Sequence, residues 1–396
     1  MKRDILFVID SLDCAGAEKS LVSLLSLLDY SKYNVDLMLF AHGGLLEEQV
    51  PKEVNILKPL AYTTFTWLNL KEALAFSIRK LDFKMLASRI KYSYAIRRIK
   101  GGNTLKARVF WQSISKVIEN NDKNYDIAIS YAQGIPTFYI AEKVNAKKKF
   151  AWVNTIYRLD AKEREYQKFF YNTFNKIIAV SDSAKEIFLE TFPMYDRKME
   201  VIYDINNFEL ISNLSNVGNP FNDNFDGIRI LTIGRFDKVK GYDIALKACK
   251  KLKEKGINFR WYVLGKGPLK EEILQFINEY NLTDYFVLLG ITANPYPYIK
   301  NCNIYVQTSR FEGFGLAIAE ARMLNVPVVT TRFDSVYNQM IDGKNGLVVD
   351  MSAEAVCDGI IRIIDDPMLS KDIVNYLKTE KKGNVEEIEK FYKLIG

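Results

Sequence analysis

One histidine, His42, and four cysteines, Cys14, Cys249, Cys302 and Cys357, are the only soft metal ligands besides methionine in 396 residues. The cysteines show no C-x-x-C spacing, so neither a zinc site nor a disulfide framework is expected, and a reducing, cytoplasmic compartment fits best. No run approaches the roughly 20 apolar residues of a membrane span. The first apolar run, Ile5-Leu6-Phe7-Val8-Ile9, has five residues between Asp4 and Asp10. That is too short for the core of a signal peptide and reads as a buried strand. Charge of one sign is also scarce outside a single segment. Between Lys71 and Trp111, eleven Lys and Arg stand against Glu72 and Asp82, an excess of nine where the whole chain carries +7. The remainder is close to neutral, which argues against a general nucleic-acid-binding surface.

The chain does have the 48% apolar and 26% charged residues of a globular protein. Its length predicts two domains of roughly 150–200 residues each. Strand, glycine-containing turn, helix and strand succeed one another from the start: Ile5–Ile9, the Gly16 turn, a helix over Glu18–Leu28, then Val35–Phe40. This is the βαβ order of a doubly wound parallel sheet. The same order resumes with strands at Tyr125–Tyr131, Lys149–Asn154, Ile177–Ser181 and Lys198–Tyr203, and Ser181 is placed to cap a helix. The expected boundaries are an N-terminal domain over 1–205, an Asn-rich linker over 206–226 and a C-terminal domain over 227–380. A closing helix follows in 381–396, for which a return to the N-terminal domain is open.

Residues 61–118 interrupt that rhythm. Phe65, Trp67, Phe76, Phe83, Tyr92, Tyr94, Phe110 and Trp111 lie among the cations, and Leu74, Ile78, Leu81, Met85 and Leu86 recur at helical spacing, so one or two amphipathic helices are predicted. Two readings stand side by side. The segment is either a docking face for an anionic membrane surface, using residues 71–111, or a solvated insertion whose aromatics pack on the sheet.

In the second half, three strands end in glycine turns: Ile228–Ile233 at Gly234-Arg235, Arg260–Leu264 at Gly265-Lys266-Gly267, and Phe286–Leu289 at Gly290. A fourth, Asn303–Thr308, runs into Glu312-Gly313-Phe314-Gly315-Leu316 and a helix that carries Glu320. A glycine turn opening a helix aims free N–H groups and the positive helix end at one spot, which suits a phosphate. Glu312 and Glu320 add hydrogen-bond acceptors for hydroxyls. Together these are the needs of a nucleotide sugar.

In this order, Gly234-Arg235, Lys240-Gly241, Gly265-x-Gly267 and Glu312-Gly-Phe-Gly-Leu with Glu320 resemble the retaining GT-B glycosyltransferases of family 4. Ala15-Gly16-Ala17-Glu18-Lys19, Tyr125-Asp126 with Gly134, and Val180-Ser181 extend the resemblance through nearly the whole chain apart from the insertion. The resemblance implies an α/β GT-B fold, with two Rossmann-like domains facing a cleft. It also implies transfer of a hexose, with retention, from a nucleotide-diphosphate sugar (a UDP-sugar by preference) to a glycan or lipid-linked hydroxyl in surface polysaccharide synthesis. No cofactor or metal is implied. Arg235 and Lys240 would neutralise the diphosphate and Glu312 would face the donor sugar. Glu320 would take the ribose, and Gly16, Gly234, Gly265, Gly267, Phe314, Gly315 and Leu316 would surround the donor.

Two positions depart from the family pattern. Asn154 stands on the sugar side where relatives carry histidine, and Asp204 stands where they usually have asparagine. His42 follows a different strand and reads as a loop residue. The Asn154 departure leaves a second reading open, a non-catalytic sugar-nucleotide-binding or partner subunit. The implied location is cytoplasmic, with the inner face of the cytoplasmic membrane as the docking alternative.

Overall fold

A computed structural model describes residues 2–13, 15–99, 102–154, 159–221 and 223–396. Cys14 and Lys100, counted above, lie outside these described residues. The first sheet is built from β1 (Arg3–Ile9), β2 (Tyr33–Leu39), β3 (Val54–Ile56), β4 (Asn121–Ser130), β5 (Val144–Val153), β6 (Lys176–Ala179) and β7 (Met199–Val201). The second is built from β8 (Ile228–Ile233), β9 (Phe259–Leu264), β10 (Phe286–Gly290), β11 (Ile304–Gln307), β12 (Val328–Thr331) and β13 (Leu347–Val349). Their orders are β3-β2-β1-β4-β5-β6-β7 and β10-β9-β8-β11-β12-β13. Every pairing between named strands is parallel.

Parallel strands covered by helices on both faces need apolar side chains in both directions. Accordingly, Ile5, Phe7 and Ile9 of β1 enter one core, while Leu6 and Val8 enter the core on the opposite face. In the second sheet Ile230 and Val306 point to one side, and Leu231 and Tyr305 to the other. Each sheet also reverses its strand order once, between β1 and β4 and between β8 and β11. The loops leaving two adjacent strands diverge there and open a crevice at their carboxyl ends.

Among the described residues the insertion forms four helices, Ala61–Trp67, Leu70–Lys80, Lys84–Arg98 and Asn103–Ile114, rather than one or two. Their boundaries are set without proline. Asn69 and Glu72 form a reciprocal capping box at the start of the second helix, and Leu81 ends it in the left-handed region at φ 50°. The two readings of this segment divide along it. Tyr62 and Trp111 are buried in the first domain's core, whereas Trp67, Leu70 and Leu81 are 61%, 69% and 86% exposed. Phe76, Ile78, Phe83, Ile90 and Tyr94 are exposed as well.

The Asn-rich stretch contains a helix, Phe208–Leu214, capped by the Asn207 side chain, and its Ile211 packs against Ala319 and Met323. Further along, the helix Glu387–Ile395 packs on the first domain. The Phe391 ring lies 6.1 Å from both Phe7 and Trp152. The chain therefore crosses between the sheets twice. The crossings are laced together: Asn206 N donates to Asn384 Oδ1 at 2.8 Å, and Asn384 Nδ2 donates to the Asp204 carbonyl at 3.0 Å.

Candidate functional site

The turns after β8 and β11 meet at the second sheet's switch point. Asp237 organises the first turn by accepting from the Val239 and Lys240 N–H groups and from Arg235 Nε at 2.7 Å. The Arg235 side chain is thereby folded back while remaining 56% exposed. Lys240 lays its stem along Gly234, and its Nζ donates to both oxygens of Glu312 at 2.6 and 2.7 Å. Glu312 also accepts from Ser309 Oγ at 2.6 Å and Gln307 Nε2 at 3.0 Å. The carboxylate and lysine singled out from sequence are thus one hydrogen-bonded unit.

Gly265 and Gly267 serve the neighbouring turn through close packing. A Cβ on Gly265 would fall 2.0 Å from the Gly234 carbonyl oxygen, and one on Gly267 would fall 2.5 Å from that of Phe236. Only glycines let the β9 turn nest against the β8 turn. Gly315, at φ 85°, turns the chain into the helix Leu316–Met323.

Across the cleft, the helix Gly16–Ser26 starts where the Leu316 helix starts. A Cβ on Gly16 would lie 3.4 Å from Leu316 Cδ1. Two positive helix ends therefore face one gap, an arrangement that favours an anion between them. One turn further in, Glu320 is 2% exposed and receives Lys19 Nζ at 3.1 and 3.2 Å and Tyr296 Oη at 3.3 Å. Lys19 lies 5.3 Å from the centre of the Tyr296 ring. Burial and the nearby Glu320 push the Tyr296 hydroxyl well up. Lys19 stood within the N-terminal motif but was not assigned to the site, and Tyr296 had no sequence signal.

The facing walls touch. Ser181 Oγ accepts from Ala184 N at 3.1 Å, capping its helix, and donates to the Gly313 carbonyl at 2.8 Å. Lys266 Nζ reaches Asp13 at 3.0 Å. Phe314 packs on the first domain's core, its ring 5.9 Å from Tyr203. The Gly313 backbone lies so close to the Asn154 carbonyl that a Cβ would come within 2.3 Å of that oxygen. The Asn154 amide donates to the Tyr131 carbonyl at 2.6 Å, and its buried Oδ1 is left without a partner. Tyr131 also links to Ser20 Oγ at 2.9 Å, and Ser20 donates to Asp204 at 2.5 Å. Burial pushes the Asp204 carboxyl up to about 7. His42 lies in the loop after β2, with Nε2 enclosed and unpartnered. Among the described residues, no group of three His, Cys, Asp or Glu side chains converges as a metal site, and no helix is long and apolar enough to cross a membrane.

Residues 220–380 match the family model described as Glycosyl transferases group 1. The chain is 30% identical over 215 residues to the N-acetylgalactosamine-N,N'-diacetylbacillosaminyl-diphospho-undecaprenol 4-alpha-N-acetylgalactosaminyltransferase of Campylobacter jejuni, covering 54% of this chain and 57% of that protein. It is 25% identical over 233 residues to the poly(ribitol-phosphate) alpha-N-acetylglucosaminyltransferase of Staphylococcus aureus, covering 57% and 44%. The chain thus spans about half the length of the curated relatives it matches. Among solved structures, Anabaena Alr3699/HepE in complex with UDP and glucose superposes with a TM-score of 0.69 at 18% identity, covering 99% of this chain and 98% of that one. A Staphylococcus aureus TarM variant bound to fondaparinux, alpha-GlcNAc-glycerol and UDP gives 0.65 at 15%, with both chains fully covered. At these identities the likeness is one of fold, and the fold is GT-B.

Proposed function

We propose that this chain, residues 220–380 of which match the glycosyl transferases group 1 model, transfers a hexose from a nucleotide-diphosphate sugar to a hydroxyl of a glycan or lipid-linked acceptor, with retention. The observation that carries the proposal is the pair of helix N-termini meeting at Gly16 and Leu316, beside the Lys240–Glu312 unit. A diphosphate between those ends is met by Lys240 and Arg235, so its charge is neutralised without a metal. Glu320 then accepts from the ribose hydroxyls in place of Lys19, and Glu312 turns from Lys240 to the donor sugar. The acceptor oxygen bonds to the anomeric carbon on the face from which the phosphate leaves. The anomeric C–O bond to phosphate breaks, and the acceptor's proton passes to the leaving phosphate oxygen.

A lipid-linked or polymeric acceptor gives the insertion its use. Its exposed apolar side chains and cations dock the first domain on the anionic inner face of the cytoplasmic membrane.

The test is a thermal-shift screen across UDP-, GDP- and dTDP-sugars, followed by donor turnover with Glu312→Ala and Arg235→Ala as controls. UDP-sugar stabilisation with turnover lost in both variants supports the proposal. A folded wild type that binds nucleotide and turns over no donor makes it a sugar-nucleotide-binding subunit instead, the reading that the amide at Asn154 keeps open.

A further inference from the structure

The Glu312-Gly313-Phe314-Gly315 turn is held from behind by side chains placed at four-residue intervals from the end of β12 onward. Thr331 Oγ1 donates to the Ser309 carbonyl at 2.6 Å, and Ser335 Oγ donates to the Glu312 carbonyl at 2.7 Å. Gln339 Nε2 donates to the Phe314 carbonyl and, at 3.2 Å, to the Gly315 carbonyl. Gln339 is itself fixed. Arg322 Nη1 donates to its Oε1 at 3.2 Å, and Asn345 Nδ2 donates to its backbone carbonyl at 3.0 Å. A guanidinium only donates, so this contact settles which end of the amide faces the turn. Glu380 accepts from Arg322 and, at 3.0 Å, from Asn345. The support thus ends at the residue where the helix Pro367–Thr379 stops, just before the chain returns to the first domain.

A trans peptide points its C=O and N–H in opposite directions. With the Phe314 and Gly315 carbonyls turned towards Gln339, the N–H groups of Gly315 and Leu316 are turned away from it. Leu316 opens its helix, so its N–H emerges from the end that faces Gly16. The Gly315 carbonyl is also held by that helix, accepting from Ile318 N at 3.0 Å and Ala319 N at 3.2 Å. The Phe314–Gly315 peptide depends more heavily on Gln339, because a glycine at φ 85° has wide freedom to rotate.

We propose that Gln339 is a positioning residue for the transfer: by holding the Phe314 and Gly315 carbonyls, it keeps the N–H groups of Gly315 and Leu316 aimed at the leaving diphosphate. The proposal rests on the glycosyltransferase reading and adds to it a residue that need not touch the donor. Negative charge grows on the departing phosphate as the sugar bond breaks, so misaimed donors cost the transition state more than the bound donor.

The test compares wild type with Gln339→Glu and Gln339→Met. Gln339→Glu keeps an acceptor for Arg322 but sets a carboxylate oxygen against the two carbonyls, and Gln339→Met removes the donor without adding charge. UDP, GDP and dTDP are titrated calorimetrically, the tightest is taken forward, and kcat and KM are measured with its sugar, alongside melting temperature. Both variants should bind the diphosphate about tenfold more weakly and lose about tenfold or more in kcat, with KM changed less than about threefold. Their melting temperatures should stay close to the wild type; if one melts early, the other decides. The proposal is overturned if diphosphate affinity and kcat match the wild type, or if only the melting temperature falls, which is the mark of a merely structural role. It is overturned as well if the wild type binds none of the three diphosphates. A wild type that binds a diphosphate but turns over no donor removes the transferase reading instead. The affinity ratio then decides for Gln339 alone: a tenfold loss upholds its positioning role, and no loss refutes it.

Discussion

Replacing Asp204 with asparagine should make the protein more stable at neutral pH, and by an amount that depends on pH. Asp204 is buried at the lacing point between the two chain crossings, and its side chain accepts a hydrogen bond from Ser20 Oγ. Burial carries its carboxyl from 3.8 to about 7. Between those values the folded protein holds a proton that the unfolded chain has released, so stability falls as pH rises through the window. At 1.36 kcal/mol per pH unit, the full fall is about 4 kcal/mol. A carboxamide can accept the same Ser20 hydrogen bond and never ionises. Asp204→Asn should therefore exceed the wild type by about 1 kcal/mol at pH 4.5 and about 4 kcal/mol at pH 7.5. Urea unfolding followed by tryptophan fluorescence reads the relevant region, because Trp67, Trp111 and Trp152 of the four tryptophans lie in the first domain. Asp10, also pushed up to about 7, leaves the variant a residual decline over the same range. Equal destabilisation at both pH values would refute the reasoning, because it would mean that the folded state holds Asp204 charged.

Glu320→Gln should weaken UDP binding about 10- to 100-fold in calorimetry, the value of about 1.5–3 kcal/mol for a hydrogen bond to a charged group. Unchanged affinity would take the ribose away from this residue. Gly313→Ala places a Cβ 2.3 Å from the Asn154 carbonyl oxygen and should hold the domains apart. A larger radius of gyration in solution scattering is expected, together with loss of donor turnover. Replacing Arg79, Lys80, Arg97 and Arg98 with Gln should cut co-sedimentation with phosphatidylserine vesicles by roughly a thousandfold, at about 1 kcal/mol for each cation near the surface. Pelleting equal to the wild type would end the membrane reading.

The parts of the fold that could be read from sequence were those where one physical demand dominates. Central parallel strands such as Ile5–Ile9 and Ile228–Ile233 must be apolar on both faces, and a glycine must follow where the next turn lies against the backbone. Ser181 could be identified as a cap because a hydroxyl just before a helix has one obvious use. What escaped was set by tertiary partners. The short edge strand Val54–Ile56 is defined by β2. The helix Ala161–Tyr171 buries Glu163 and Gln167, which blurs its apolar face. The four insertion helices change direction at Asn69 and Leu81, where no proline or glycine marks the break. At the site, Glu312 and Lys240 were legible as types in a motif. The tie between Lys19 and Glu320 joins residues 301 positions apart and becomes visible only when the two sheets face each other.

The return of the closing helix to the first domain also bears on how the chain is made. Phe7 leaves the ribosome well before Phe391, yet their rings stack in one core. At about 5–20 residues per second, synthesis of the second domain delays that contact by roughly 10–40 s. Throughout that interval the first sheet has an uncovered apolar face at Phe7 and Trp152. The nascent chain thus offers a holding chaperone an apolar surface, and its assembly is not strictly vectorial: the first domain is completed only after the second.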